Sequence, residues 1–168
     1  MDEQFDDAPQ LDPTEFDLER FTLCARDALS SAEIAARKLG DSYIGTEHML
    51  VGLAMTESGA AYRVLEPLQL TPSRLAEMMH FIRGTETVHV SNGVDSGLSP
   101  RLIRVLAKAT KVANDRGDTE IGTIHILLGL LRERQGLSVF LLDSAGLGPK
   151  RLDHVVEIAQ RAGWTDDD

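Results

Sequence analysis

Apolar residues recur at steps of three and four along most of this chain, and short stretches rich in glycine, proline or serine interrupt them. Such spacing lines up one face of a helix with 3.6 residues per turn. Ala25, Ala28, Leu29, Ala32, Ala36 and Leu39 form the first stripe. Thr22 precedes it as an N-cap whose hydroxyl can accept from an early helical amide, and Gly40 ends it where left-handed backbone costs little. The many alanines imply close approach by another helix. A second helix is predicted to open at Gly45-Thr46, with Thr46 as its cap. His48 to Leu53 then run almost wholly apolar, which makes this short helix central. A third starts at Gly59, carries Ala61, Val64 and Leu65, and ends near Pro67. Thr71-Pro72 opens the fourth, proline being tolerated in a first helical turn, and its stripe is Leu75, Met78, Met79 and Ile82. Residues 84–97 contain Val88-His89-Val90 and Asn92-Gly93 and read as a linker with a short extended piece.

Ser99-Pro100 restarts the pattern, with Leu102, Val105, Leu106, Ala109, Val112 and Ala113 as the matching stripe. The stretch Ile44-Gly45-Thr46-Glu47-His48-Met49-Leu50-Val51-Gly52-Leu53 returns 77 positions later, without a gap, as Ile121-Gly122-Thr123-Ile124-His125-Ile126-Leu127-Leu128-Gly129-Leu130. The register persists around it: Ala36 matches Ala113, Gly40-Asp41 matches Gly117-Asp118, Gly59 matches Gly136, and Pro72 matches Pro149. This is a duplicated four-helix unit. Two units with similar apolar faces pack most simply on one another about a pseudo-twofold axis. The expected fold is therefore all-α, eight helices in one domain. Repeat one spans 21–84, the linker 85–97 and repeat two 98–163. An acidic disordered tail, residues 1–20, precedes them, and a short acidic end, 164–168, follows as a frayed terminus.

Composition narrows the functions open to such a bundle. Aromatics are only 5%, so the core is aliphatic. A net charge of −10 leaves no basic stripe for phosphate backbones or anionic lipid, which argues against nucleic-acid and membrane partners. No apolar run reaches the roughly 18–20 residues of a membrane span. The acidic N-terminus has neither the basic start nor the apolar centre of a signal peptide, and Cys24 has no second cysteine with which to form an intrachain disulfide. The cytoplasm is the expected compartment. No Gly-x-x-x-x-Gly-Lys-Ser/Thr loop for ATP occurs. Cys24 lacks a local Cys-His-Asn set, and Ser30-Ser31 lacks a nucleophile elbow. His48 and His125 occupy equivalent internal positions without metal-ligand spacing and are expected to bond to backbone. Met49, Met55, Met78 and Met79 read as core. No enzyme, metal or cofactor is expected.

Gly45-Thr46-Glu47-His48-x-Leu50-x-Gly52-Leu53, its near-copy, and Phe21-Thr22 ahead of them resemble the Clp N-terminal domain, the double Clp repeat of ClpC- and ClpA-type AAA+ unfoldases. The resemblance runs from Phe21 to Gly163. It implies a non-catalytic module that captures substrates and adaptors for an ATPase ring above a ClpP-type peptidase. It also implies, for ClpC-like members, that the glutamate of each copy helps to bind phosphoarginine. The chemistry is sound: a carboxylate can pair with a guanidinium in fork geometry, and amides at a helix start can receive phosphate. Carried over by position, the ligand-binding candidates are Glu47 and Thr46. The second copy is lost at Ile124, which cannot pair with a guanidinium. Without an ATP loop the chain is expected to be free-standing, an accessory, a competitor for adaptors and marked substrates, or a decoy for small-molecule ligands. Its expected partners are a Clp ATPase, adaptors, degradation substrates, or a phosphoarginine or peptide ligand. Two alternatives stay open: an all-α scaffold or regulator outside the Clp system, and a Glu47 that merely satisfies the positive end of its helix.

Overall fold

The structure, a computed structural model, describes residues 17–84 and 97–167. Residues 1–16 of the tail expected over 1–20, and nearly all of the expected linker, lie outside the described residues. Within the described part of that tail, Leu18–Arg20 form a turn of 3-10 helix and Arg20 Nη2 donates to Asn114 Oδ1 at 2.8 Å.

Repeat one contains α1 (Leu23–Leu39), β1 (Tyr43–Ile44), α2 (Thr46–Met55), α3 (Ala60–Leu65) and α4 (Pro72–Arg83). Repeat two contains β2 (Gly97–Leu98), α5 (Pro100–Arg116), α6 (Thr123–Glu133), α7 (Leu137–Ser144) and α8 (Leu152–Ala162). Side-chain caps start three of these helices where the sequence places them: the Ala25 amide donates to Thr22 Oγ1 at 3.0 Å, Arg74 to Thr71 Oγ1 at 3.2 Å, and Leu102 to Ser99 Oγ at 3.1 Å. Both long helices, α1 and α5, end at a left-handed glycine, Gly40 and Gly117.

The two halves interlock by exchange. Tyr43–Ile44 of the first repeat pair in parallel with Gly97–Leu98 of the second, and Phe21 of the first bridges Ile121 of the second. The hydrogen bonds are reciprocal: Ser99 N–H donates to Ile44 O at 2.9 Å, and Thr22 N–H donates to Ile121 O at 3.1 Å. One rotation about a pseudo-twofold axis relates each contact to the other. The expected all-α fold of two four-helix repeats therefore holds, with two two-residue strands as the only sheet among the described residues.

Helices α2 and α6 lie at the centre, where His48 to Leu53 and Ile124 to Leu131 are buried. Close crossing explains the glycine that both copies retain. A Cβ on Gly52 would lie 2.1 Å from Ala28 O of α1, and one on Gly129 would lie 2.5 Å from Val105 O of α5. The fully buried Ala28 and Ala32 supply the other side of the first crossing. The core is aliphatic as expected, with Phe21 the one buried aromatic among the described residues. Met49 and Met79 lie in it, whereas Met55, at the end of α2, and Ile82, at the end of α4, are more than 40% exposed. The apolar stripes therefore run out at the last turns of those helices.

Candidate functional site

The Gly-Thr-x-His block builds the same helix start twice. Thr46 does not cap α2, as the sequence had suggested: Gly45 is the N-cap and Thr46 is the first helical residue. Glycine offers no capping oxygen, so the imidazole three residues on supplies the acceptor. Gly45 N–H donates to His48 Nδ1 at 2.8 Å, and Gly122 N–H donates to His125 Nδ1 at 2.8 Å. With Nδ1 accepting, the neutral ring carries its proton on Nε2. His48 Nε2 then donates to Asp41 Oδ2 at 2.7 Å, and His125 Nε2 to Asp118 Oδ2 at 3.0 Å. The histidines thus bond to backbone as expected, and each ties its helix start to the turn after the preceding long helix.

Around these common starts the two repeats differ. In repeat one the side chain of Glu47 folds over its own N-cap, so that a Cβ on Gly45 would lie 2.6 Å from Glu47 Oε2. Glu47 holds a guanidinium, and that guanidinium belongs to the same chain. Arg83, at the end of α4, donates Nη2 to Glu47 Oε1 at 2.6 Å and Nη1 to Asp41 Oδ2 at 2.6 Å. Burial works against the charge on Arg83, but hydrogen bonds and attraction from Asp41 and Glu47 outweigh it and raise its pKa further. The only charged state of interest is therefore the guanidinium cation. Nothing local in the sequence signals this partner, which lies 36 residues from Glu47.

In repeat two Ile124 is fully buried in the core and offers no carboxylate. The space over its N-cap glycine is filled from elsewhere: a Cβ on Gly122 would lie 2.9 Å from Asp166 Oδ2. The residues after α8, expected to be frayed, are docked here instead. Asp166 Oδ2 accepts from Thr22 Oγ1 at 2.6 Å and from the Thr123 amide at 3.0 Å. Its Oδ1 accepts from Thr123 Oγ1 at 2.6 Å and from the Ala60 amide at 2.7 Å. Two hydroxyls and two helix-start amides therefore form an oxyanion cradle, and Thr123 within it is fully buried. Helix-start amides lack acceptors within their own helices and carry the positive end of the peptide dipoles, so a carboxylate is well matched to them.

Equivalent positions in repeat one carry the same kinds of donor, although Gly136 before α7 is left-handed where Gly59 before α3 is extended. Thr46 stands for Thr123, Ser99 for Thr22 and Leu137, first in α7, for Ala60. A Cβ on Gly136 would lie 3.1 Å from Thr46 Oγ1, as one on Gly59 would lie 2.9 Å from Thr123 Oγ1. Among the described residues no carboxylate bonds to these three. The neighbouring charge is positive. Arg101 stands where Cys24 stands in the other half, and its Cδ lies 3.0 Å from that Gly136 Cβ position. Arg104, Lys108 and more distantly Arg101 surround one buried acid, Glu133, so three cations face a single carboxylate. Two buried polar atoms here, Arg101 Nε and Ser138 Oγ, have no hydrogen-bond partner. Cys24 itself is buried, with its Sγ 3.2 Å from Ser58 Oγ. Among the described residues no group of three or more His, Cys, Asp or Glu could hold a metal ion, and no helix is long and apolar enough to cross a membrane.

Residues 20–161 match the Clp repeat (R) N-terminal domain. The chloroplast chaperone protein ClpC1 of Oryza sativa subsp. japonica is 34% identical over 134 residues, which cover 80% of this chain and 14% of that protein. The chain thus spans about one-seventh of that relative's length. Among solved structures, the N-terminal domain of the Arabidopsis thaliana chaperone ClpD superposes with a TM-score of 0.68 at 20% identity, covering 88% of this chain and 98% of that one. A ClpV N-domain in complex with a VipB peptide superposes with a TM-score of 0.63 at 18% identity, covering 92% and 99%.

Proposed function

The chain belongs to the Clp repeat (R) N-terminal domain family, and from that premise we propose that it is a non-catalytic recognition domain whose first repeat binds phosphorylated guanidinium groups on proteins. Domains of this family bind substrates and adaptors of Clp ATPases. One observation carries the finer reading. Glu47, which already pairs with a guanidinium, follows directly on Thr46, which belongs to a cradle of the design that holds a carboxylate in the other repeat. Phosphoarginine joins both chemistries in one side chain, with its guanidinium for Glu47 and its phosphate for the Thr46 and Leu137 amides, the Ser99 hydroxyl and Arg101. Phosphate on a helix start beside an arginine fork is a favourable arrangement in general. The VipB peptide on a ClpV N-domain supports protein segments as the class of partner.

In this reading the chain acts as an accessory to a Clp ATPase, as a competitor for its adaptors and marked substrates, or as a decoy for small molecules that target the ATPase's own N-domain. Titration calorimetry tests the ligand. Phosphoarginine is expected to bind one site per chain, and Glu47→Ala is expected to abolish the heat. Equal binding by both proteins would remove Glu47 from the site, and no binding by either would reject the ligand class.

A further inference from the structure

Asp166 sits in the second-repeat cradle as a ligand would. We propose that Trp164–Asp167 form a releasable plug that keeps the oxyanion cradle of the second repeat shut against carboxylates and phosphates of other molecules. This stands on the second repeat and does not depend on the ligand proposed for the first.

The fit is that of a bound ligand. Both oxygens of Asp166 are used, each by one hydroxyl and one amide, and the donors come from three separate segments: Thr22 before α1, Ala60 at α3 and Thr123 at α6. The flanking residues act as a clamp. Arg63 donates Nη1 to Asp167 Oδ2 at 3.0 Å and Nη2 to Thr165 O at 2.6 Å, and Asp167 N–H donates to Ser58 O at 2.9 Å. The Trp164 ring stacks on His125, centroids 5.8 Å apart, and Arg116 Cζ lies 3.4 Å from its centroid on the cation-π side. The clamp belongs to this repeat alone, because the position equivalent to Arg63 is Phe140, an exposed residue of α7.

The same contacts argue that the segment can leave. Trp164 Nε1 and Arg63 Nε are both buried without a hydrogen-bond partner, so docking strands two polar groups that water would satisfy on release. The Arg63–Asp167 pair is open to solvent on the aspartate side, at 76% exposure, where salt and water weaken it. Release uncovers the partly buried Trp164 ring, which packs against the edge of the core, but takes no fully buried side chain out of it. An incoming oxyanion meets the same four donors and replaces Asp166 without rearranging them.

Amide NMR on the full chain tests this, with the Thr123 and Ala60 signals as reporters and inorganic phosphate and a peptide of residues 164–168 as probes. In Asp166→Ala/Asp167→Ala, both signals are expected to shift saturably with either probe. The unsubstituted chain should need about tenfold more of each. Arg63→Ala loosens the clamp without touching the cradle and should fall between the two. It also serves if the double variant loses its native spectrum. Trp164 fluorescence should change in the unsubstituted chain as phosphate displaces the segment. A natively folded variant whose Thr123 and Ala60 signals ignore both probes would overturn the proposal. So would an unsubstituted chain that responds at the same concentrations as the variants. A response to phosphate supports the plug, whereas a response to the peptide alone would show only that the segment docks on its own site and would overturn entry by oxyanions of other molecules.

Discussion

Two guanidinium groups compete for Glu47 if the first repeat binds phosphoarginine, one from the ligand and one from Arg83. Arg83 is partly exposed, so its pairing is worth about 1 kcal/mol or less. Its removal should therefore tighten phosphoarginine binding about fivefold in Arg83→Ala, measured by calorimetry. Unchanged affinity would mean that the ligand's guanidinium goes elsewhere. A second expectation concerns His125. Burial depresses its pKa below the ordinary value, assisted by Arg116, while the hydrogen bond and charge of Asp118 and the charge of Asp166 oppose this. The folded state thus prefers the neutral ring. Its contribution is complete above about pH 6.5, where the unfolded histidine is also neutral, and is lost as pH falls from there through the depressed folded value. Asp118 acts in a separate, more acidic range, because hydrogen bonds from His125 and Arg116 outweigh burial and hold it below its ordinary value. Melting temperature should decline below about pH 6.5 in the unsubstituted chain and decline less over that interval in His125→Gln. At this scale the sequence was only partly legible. The exchange of Glu47 for Ile124 was visible, but neither Arg83 nor Asp166 was, since each reaches its partners across many intervening residues.

Helices were more legible than side-chain partners because their signals are local. Thr22, Thr71 and Ser99 cap the helices that they precede, and Gly40 ends α1. Thr46 misled because a hydroxyl beside a helix start usually caps it, whereas here an imidazole in the first turn reaches back to a glycine amide. The glycine inside α2 also has its reason at this scale. It allows α1 to pass so close that a methyl group on Gly52 would meet the Ala28 carbonyl. A backbone atom cannot swing aside as a flexible side chain can. Gly52→Ala should destabilise the fold by about 1–3 kcal/mol or more despite alanine's better helix propensity. Urea denaturation measures this, and an unchanged midpoint would show that the crossing is looser than described.

Across the whole molecule, duplication at a register of 77 was enough to foresee eight helices and a twofold relation. It could not foresee that the halves exchange strands, Ile44 with Leu98 and Phe21 with Ile121, since pairings between distant segments leave no periodic trace. Nor could it foresee that Thr165–Asp167 dock, because three aspartates in a row read as solvated charge. The outcome is a symmetric scaffold with asymmetric sites. One start carries a carboxylate held by Arg83, and the other carries a cradle filled by Asp166. The most direct test of this division is amide NMR on the unsubstituted chain during titration with phosphoarginine. The account predicts saturable shifts at the Thr46 and Leu137 amides and at the Arg83 side chain as Glu47 changes partners, with Thr123 and Ala60 unmoved at the same concentrations. Shifts confined to Thr123 and Ala60, or no saturable shift at Thr46, would contradict it.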